Sequence, residues 1–508
     1  MAGYKKIILM AMIFAVSGLY CVLFFEGYLG LSDGNDYAGL ARSVVRGEGF
    51  QLGHLYPLAF AFNDNIPQPN NMWAPGYPVF LAAWFIILGI SDSAVLIATI
   101  FSIWLLILAV YLLAGRLVGE KWALFAAALT GLSQTMLATA LEGSPEPLTA
   151  ALLVLSVYTM LSQNKRMAII FSGLFFGLAV LTRYQLIVLA LPFLFFLSDR
   201  KLKSLVLWLG MLFLVLALWL VRNYIVFGNP LFTLQAYGEF TKGMGHLNYY
   251  YYTYRSFTPM SFSYALSHFP FYVFKKFAAG ILFFSWWTVV VLNFFGTVPF
   301  VMALMRIRHF ENVQKRFLWF GFTSLFLLIA ISSLDGIHLR HLVNIQGILI
   351  VMLAMGFVQL VQPDGLFKKR YLQIAAMVLL LLPLRFPYLE IGLMNNVHRI
   401  ERDKEVYEII KEQIEEGAVI VSDASDAVWW YTDRYSIWIP VLYEDLKTLL
   451  ENHKADYIYL EKKSEYLGKL DDSDLVDFFN TTSIVTDISP DRGLFRVEKA
   501  GGVRSENK

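Results

Sequence analysis

IILMAMIFAVSGLYCVLFF, residues 7–25, carries no charge and follows Lys5 and Lys6. A membrane-crossing helix needs about 20 predominantly apolar residues, and this stretch meets that length. It begins like a secretory signal, but no small-residue cleavage site follows it and more apolar runs do, so it reads as an uncleaved first span. The further runs lie near 77–90, 93–115, 122–139, 147–161, 167–181, 185–197, 204–221, 281–305, 318–333, 342–361 and 371–388. Composition agrees, because 57% of the 508 residues are hydrophobic and only 16% are charged. Soluble domains carry about a quarter charged residues, which excludes a soluble enzyme and a disordered scaffold. The lone Cys21 can form no internal disulfide. A net charge of +2 argues against a nucleic-acid partner.

Basic residues orient the spans, since loops rich in Lys and Arg stay cytoplasmic. Lys5/Lys6, Arg116/Lys121, Lys165/Arg166, Arg200/Lys201/Lys203, Arg306/Arg308/Lys315/Arg316 and Lys368/Lys369/Arg370 then face inward. The N-terminus is expected inside and the C-terminus outside, which takes an odd number of crossings. The run 77–90 is short and joined to the next by Ser91-Asp92-Ser93 alone, so it reads as a juxtamembrane or half-inserted helix. About 11 transmembrane helices remain. The outer segments are 27–76, the turn 142–147, the Tyr-rich loop 222–276 and 335–341. Lys275 and Lys276 fall on the outer side against the rule and are expected to snorkel towards headgroups.

Composition shifts near 395. Glu401–Glu416 is charged at helical spacing, GAVIVSD (417–423) reads as a buried strand, Ala424–Tyr431 as a helix and Tyr435–Ile439 as a strand. Asp445–Asn452 is helical and ADYIYLEK (455–462) a further strand, with Leu494–Val497 closing the domain. The expected organisation is a membrane module, 1–394, an extracytoplasmic α/β domain, 395–500, and a disordered tail, 501–508. No GxxxxGK[ST] or GxGxxG loop occurs, so no nucleotide cofactor is expected.

Two outer turns concentrate acids. LSDGNDYAGLARSVVRGEGF (31–50) places Asp33 and Asp36 just past the first span, ahead of an amphipathic helix from Tyr37 to Arg46. Such acids can simply cap a juxtamembrane helix. ALEGSPEPLTAA (140–151) puts Glu142 and Glu146 at the mouth of a helical hairpin, where acids are costly unless they pair, bind a cation or face water. Pro147 after Glu146 is also ordinary helix-start chemistry. His54, His246, His268, His338 and His341 lie on or near the outer side without a zinc pattern.

The order of short motifs resembles the GT-C superfamily of polyprenyl-phosphate-sugar-dependent glycosyltransferases. The branch is that of the protein mannosyltransferases, the lipid A aminoarabinose transferase and the RgtA/B/C/D-like proteins. The matching pieces are Asp33 with Tyr37, Ala41-Arg42 with Gly47-Glu48-Gly49, Ala74-Pro75-Gly76-Tyr77-Pro78 and Glu146-Pro147-Leu148. Leu181-Thr182-Arg183, Trp219–Tyr224 and Phe227-Gly228-Asn229-Pro230 follow, and Val428–Tyr431 with Arg434 and Pro440 resembles that branch's outer domain. The resemblance implies a GT-C fold and an inverting transfer on the outer face of the cell membrane. The donor would be a polyprenyl-phosphate sugar, the acceptor a lipid, glycan or protein, and membrane lipids would surround the chain. It implies a first-loop catalytic acid, placed at Asp33 with Asp36 open beside it, and a second-loop acid at Glu146 with Glu142 as alternative. A metal, Mg2+ or Mn2+, held by Asp33 and Glu146 is compatible with the same carboxylates. An acceptor hydroxyl must lose its proton, and the departing phosphate needs positive charge. Arg340, Arg222, Arg255 and Lys242 are the outer-side candidates for donor phosphate binding. A transporter or flippase of lipid-linked sugars would need inverted repeats or a continuous polar path, and neither is evident. A non-catalytic membrane scaffold would tolerate loss of the outer acids.

Overall fold

Runs of Leu, Ile, Val and Phe in a hydrocarbon medium have no water to satisfy their amides, so they fold as helices that bond internally. A computed structural model describes residues 3–25, 27–29, 33–161, 165–197, 202–238, 241, 253–254, 261–335, 340–362, 369–381, 405–453, 455–489 and 491–498. Five helices in it are long and apolar enough to cross a membrane: Tyr4–Phe24, Asp92–Val118, Leu202–Phe227, Pro270–Val291 and Asn312–Ser332. A sixth is added if Glu120–Gly131 and Gln134–Leu141, bent by 45° at their junction, count as one. The bend falls where Ser133 leaves the helix and caps the next one, its hydroxyl accepting from the Met136 amide. Shorter apolar helices include Gly76–Leu88, Glu146–Met160 and Gln346–Val361. The chain is an integral membrane protein.

A second run, after 122–139, departs from its sequence reading. The apolar stretch near 281–305 is two helices, Pro270–Val291 and Thr297–Met305, broken where Asn293 and Phe294 take positive φ of 56° and 49°. The first helix starts earlier because Pro270 stands at its first position, where a missing amide costs nothing. Lys276 consequently lies inside that helix and is buried, whereas Lys275 is exposed. Snorkelling therefore fails for Lys276. It shares a face, at four-residue spacing, with Gly280 and Phe284. A Cβ on Gly280 would overlap Ser333, and the Phe284 ring stacks on His341 at 6.2 Å between centroids.

Contacts divide the chain into two units. The first comprises Met1–Gly27, Ala74–Phe232 and Phe269–Gly392. Within it, several basic turns gather at one end. Lys6 pairs with Glu120, Gln314 Nε2 donates to the Leu117 carbonyl at 2.5 Å, and Arg116 donates to the Tyr158 carbonyl at 2.9 Å.

The second unit comprises Tyr28–Trp73, Thr233–His268 and Leu393–Lys508. Short strands β1 (Gln51–Leu52), β2 (His54–Leu55) and β3 (Gln68–Pro69) come from the first loop. The C-terminal residues supply β4 (Val419–Ser422), β5 (Tyr435–Trp438), β6 (Tyr457–Leu460), β7 (Thr482–Ser489) and β8 (Arg492–Val497). β1 pairs with β3, and the other six form one sheet in the order β2-β5-β4-β6-β8-β7. β2, β5, β4 and β6 run parallel, and β8 and β7 turn back antiparallel. Such parallel neighbours need helical crossovers, here Ser425–Thr432 and Tyr443–His453. Tyr407, Ile410, Ile420, Val428, Tyr459 and Leu494 form the core beneath the sheet. Sequence did not anticipate β1, β2, β3 or β7, and the edge strand β2 is borrowed from the loop after the first span. The tail 501–508 lies outside the described residues.

Candidate active site

The first-loop helix, Asp33–Val45, brings two acids into its first turn, where negative charge suits the helix dipole. They end in different environments. Asp33 is half-buried, whereas Asp36 is 2% exposed and its Oδ1 lies 2.6 Å from Nδ1 of the fully buried His54. His54 reaches that position because β2 pairs in parallel with β5, setting His54 opposite Ser436. Asp426, in the first turn of the helix Ser425–Thr432, completes the group and accepts from Asn35 Nδ2 at 3.3 Å. Arg42, further along the first-loop helix, donates to the carbonyls of Trp430 and Trp429, both at 2.8 Å. Loop and C-terminal sheet are thus one body in this unit.

Burial pushes the Asp36 carboxyl up, and the His54 charge and hydrogen bond pull part of that back. For His54, burial opposes the imidazolium, yet the charge and hydrogen bond of Asp36, with Asp426 and Asp33 behind it, leave its pKa raised. Burial and then the Asp36 charge push Asp426 up to about 7. A carboxyl raised on folding stabilises the folded chain fully below its unfolded pKa and progressively less as pH climbs through its folded one. Asp426→Asn, which mimics the neutral acid, should therefore gain on the wild type as pH rises from 5 to 8. Apparent melting temperatures of the two proteins, measured at pH 5 and pH 8, test this. An unchanged difference would remove Asp426 as the titrating group.

In the helical unit, Glu146 opens the helix Glu146–Met160 and is completely buried. Arg183, just past the helix Lys165–Thr182, donates from Nη2 to Glu146 Oε1. Thr149 donates to Thr182 Oγ1 at 2.8 Å, tying the same helices together. Among the described residues Glu146 Oε2 has no hydrogen-bond partner. Glu142, at the C-terminal cap of the preceding helix, is exposed.

Arg340 is half-buried at the start of the short helix Arg340–Val343, beside His341, whose Nε2 is 3.9 Å from Asp335. The buried face of Lys276, Gly280 and Phe284 packs on this same segment through Ser333 and His341. Lys276 is thus a cation that sequence reasoning set aside as a lipid contact. Arg222 behaves differently. Its guanidinium lies over Trp219 and Phe227, at 4.7 and 5.1 Å, and donates to Asn223 Oδ1 at 2.9 Å. That is the environment of an interfacial anchor. Lys242, Arg255, His246, His338 and the tyrosines 249–252 lie outside the described residues.

Among the described residues no group of three or more His, Cys, Asp or Glu side chains is placed to hold a metal ion. Glu146 Oε2 offers one free carboxylate oxygen within the helical unit, and Asp33 offers a half-buried carboxylate within the other.

Sequence signals existed for part of this. Glu146 and Arg183 both sat in the quoted motifs. His54 carried no spacing signature, since a two-residue strand is too short to show a period. Asp426 stands in the first turn of its helix, an ordinary place for an acid that carries no functional signal by itself.

Residues 72–224 match the family model described as dolichyl-phosphate-mannose-protein mannosyltransferase. No curated protein matches the chain by sequence. Solved structures do match by fold. ArnT from Cupriavidus metallidurans bound to undecaprenyl phosphate aligns with a TM-score of 0.61 at 11% identity, covering 98% of this chain and 99% of that one. The apo oligosaccharyltransferase of Archaeoglobus fulgidus aligns at 0.61 and 12% identity, covering 95% and 73%. AglB from the same organism, in complex with an inhibitory peptide and a dolichol-phosphate, aligns at 0.57 and 13%, covering 99% and 76%. The Archaeoglobus enzyme has also been solved with Zn and sulfate. The chain shares its fold with these proteins.

Proposed function

We propose that this protein transfers a sugar from a polyprenyl-phosphate donor to a lipid, glycan or protein acceptor at the outer face of the cell membrane. The observation that carries the reading is the contrast within one helical turn, with Asp33 half-buried while Asp36 is sealed against His54. A base must touch the hydroxyl it deprotonates, so Asp33 is the reacting acid. Asp36, His54 and Asp426 fix the turn that presents it. The acceptor oxygen attacks the anomeric carbon and gives its proton to Asp33, and the bond to the phosphate breaks on the opposite face, inverting the centre. The departing phosphate monoester gains charge, which Arg340 and Lys276 offset. A Mg2+ or Mn2+ ion held by Asp33, or by the Oε2 of Glu146, would supply further charge neutralisation.

The proposed arrangement has about 11 crossings, an inner N-terminus and an outer second unit. The gathering of Lys6, Arg116 and the turn before Gln314 at one end supports it. Single cysteines at Tyr56 and Glu465 should react with an impermeant reagent from outside and one at Lys165 should not. Outside labelling at position 165 would overturn the map.

Transfer assays with a panel of polyprenyl-phosphate sugars, products read by mass spectrometry, test the activity. Within that assay Arg340→Ala should weaken donor use by tenfold or more, and Arg340→Lys should recover only part because the bidentate fork is lost. Wild-type donor affinity and turnover in the alanine variant would take Arg340 out of the site.

A further inference from the structure

The second unit contains a polar cavity of about 320 Å³ at the far end of the first-loop helix. Its walls include Arg46, Glu48, Gln51, Asp433, Trp429 and Tyr435. At 1.5 Å per residue, Arg42 and Arg46 stand about 13–20 Å along the helix from Asp33, so the cavity is separate from the reacting acid. We propose that it is a second, non-catalytic binding site for a neutral saccharide.

Three features point to that class of ligand. The volume is at the lower end of small-molecule pockets, which run from about 300 Å³ upward. The arginines on the wall are already paired with Asp433. Arg46 Nη1 bonds both carboxylate oxygens of Asp433 at 3.0 and 2.8 Å, and Arg42 lies 3.3 Å from the same carboxylate while capping two carbonyls. An anion would have to break a pair, whereas a polyol can use the remaining N–H groups and lone pairs without disturbing either. Planar polar groups of this kind, with Gln51 and Glu48, bond vicinal hydroxyls two at a time. The half-buried Tyr435 ring completes the wall, and sugar C–H faces pack on such rings.

The wall is also built rigidly. Trp429 is 4% exposed and seated between Gly39 and Gly53, where any Cβ would overlap its indole. Burial lowers the Arg42 guanidinium to about 10, with Asp433 holding it up.

The test uses the full chain in nanodiscs and saturation-transfer NMR with cellobiose, maltose, α-1,2-mannobiose and N,N′-diacetylchitobiose, with phosphate and acetate as charged competitors. At least one disaccharide should bind, and neither anion should compete. Gln51→Ala with Glu48→Ala, and separately Tyr435→Ala, should each weaken binding at least tenfold. Asp33→Asn should bind like the wild type, which separates this site from the transfer reading. The proposal is overturned if no disaccharide binds, if both wall variants bind normally in monodisperse protein, or if the anions displace the sugar.

Discussion

Asp33→Asn should lower single-turnover sugar transfer at least 100-fold in monodisperse protein. Asparagine keeps the size and much of the hydrogen-bonding shape at the first position of the helix but cannot accept a proton. A positioned general base contributes about 10²- to 10⁴-fold, or roughly 3–5 kcal/mol of barrier. Because Asp33 is half-buried and opens its helix, the fold should survive the change. Asp36→Asn should act through a different quantity. Its carboxylate is sealed against His54, so its loss leaves a buried imidazole short of its charge partner. The yield of folded protein should fall, while turnover per folded molecule drops less than about tenfold, well short of what removing a general base costs. If the carboxylates also hold a metal, transfer by the wild type should fall with chelator and return with Mg2+ or Mn2+. Near-normal transfer by the Asp33 variant would sink the assignment, and a severe loss per molecule only at Asp36 would move the base one helical turn along.

What sequence revealed followed from periods and charge. Long helices such as Asp92–Val118 and Leu202–Phe227 were readable because hydrocarbon enforces long apolar helices, and the strands Val419–Ser422 and Tyr457–Leu460 because they are short apolar runs between turn residues. What it concealed was tertiary. The borrowed strand β2 has two residues, and its identity rests on pairing with Tyr435–Trp438, nearly four hundred positions away. Spacing to Tyr37 favoured Asp33 over Asp36, but only burial shows that Asp36 is sealed and Asp33 half-buried. Lys276 was misjudged because a hydropathy pattern places a charge at the edge of a span, although Gly280 and Phe284 show the face it belongs to. The Glu146–Arg183 pair joins two motifs that were each visible but carried no sign of contact.

Arg183→Ala should be the most damaging substitution to the helical unit, because it strands Glu146. That carboxylate has no exposure, and its Oε2 already lacks a protein partner among the described residues. Removing one member of a buried ion pair costs about 3–5 kcal/mol, since the remaining charge keeps its desolvation penalty without the compensating attraction. A loss of that size is a large share of a typical domain's stability. It should appear as a marked fall in thermostability on fluorescence-detected size exclusion, and in the yield of monodisperse protein. Arg183→Lys keeps the charge and should retain part of the stability. The decisive variant is the double replacement, Glu146→Gln with Arg183→Ala. Neutralising the acid removes the stranded charge, so the double variant should be more stable than Arg183→Ala alone, the mark of coupling between contacting residues. Transfer separates the two roles that Glu146 can have. If the acid serves only to hold Arg183 and the two helices, the stable double variant should keep most of its turnover. If Glu146 also reaches the reacting groups through its free oxygen, turnover should stay low although the fold has recovered. Equal destabilisation by the single and double replacements would show that the pair is not coupled and that Arg183 acts through packing alone.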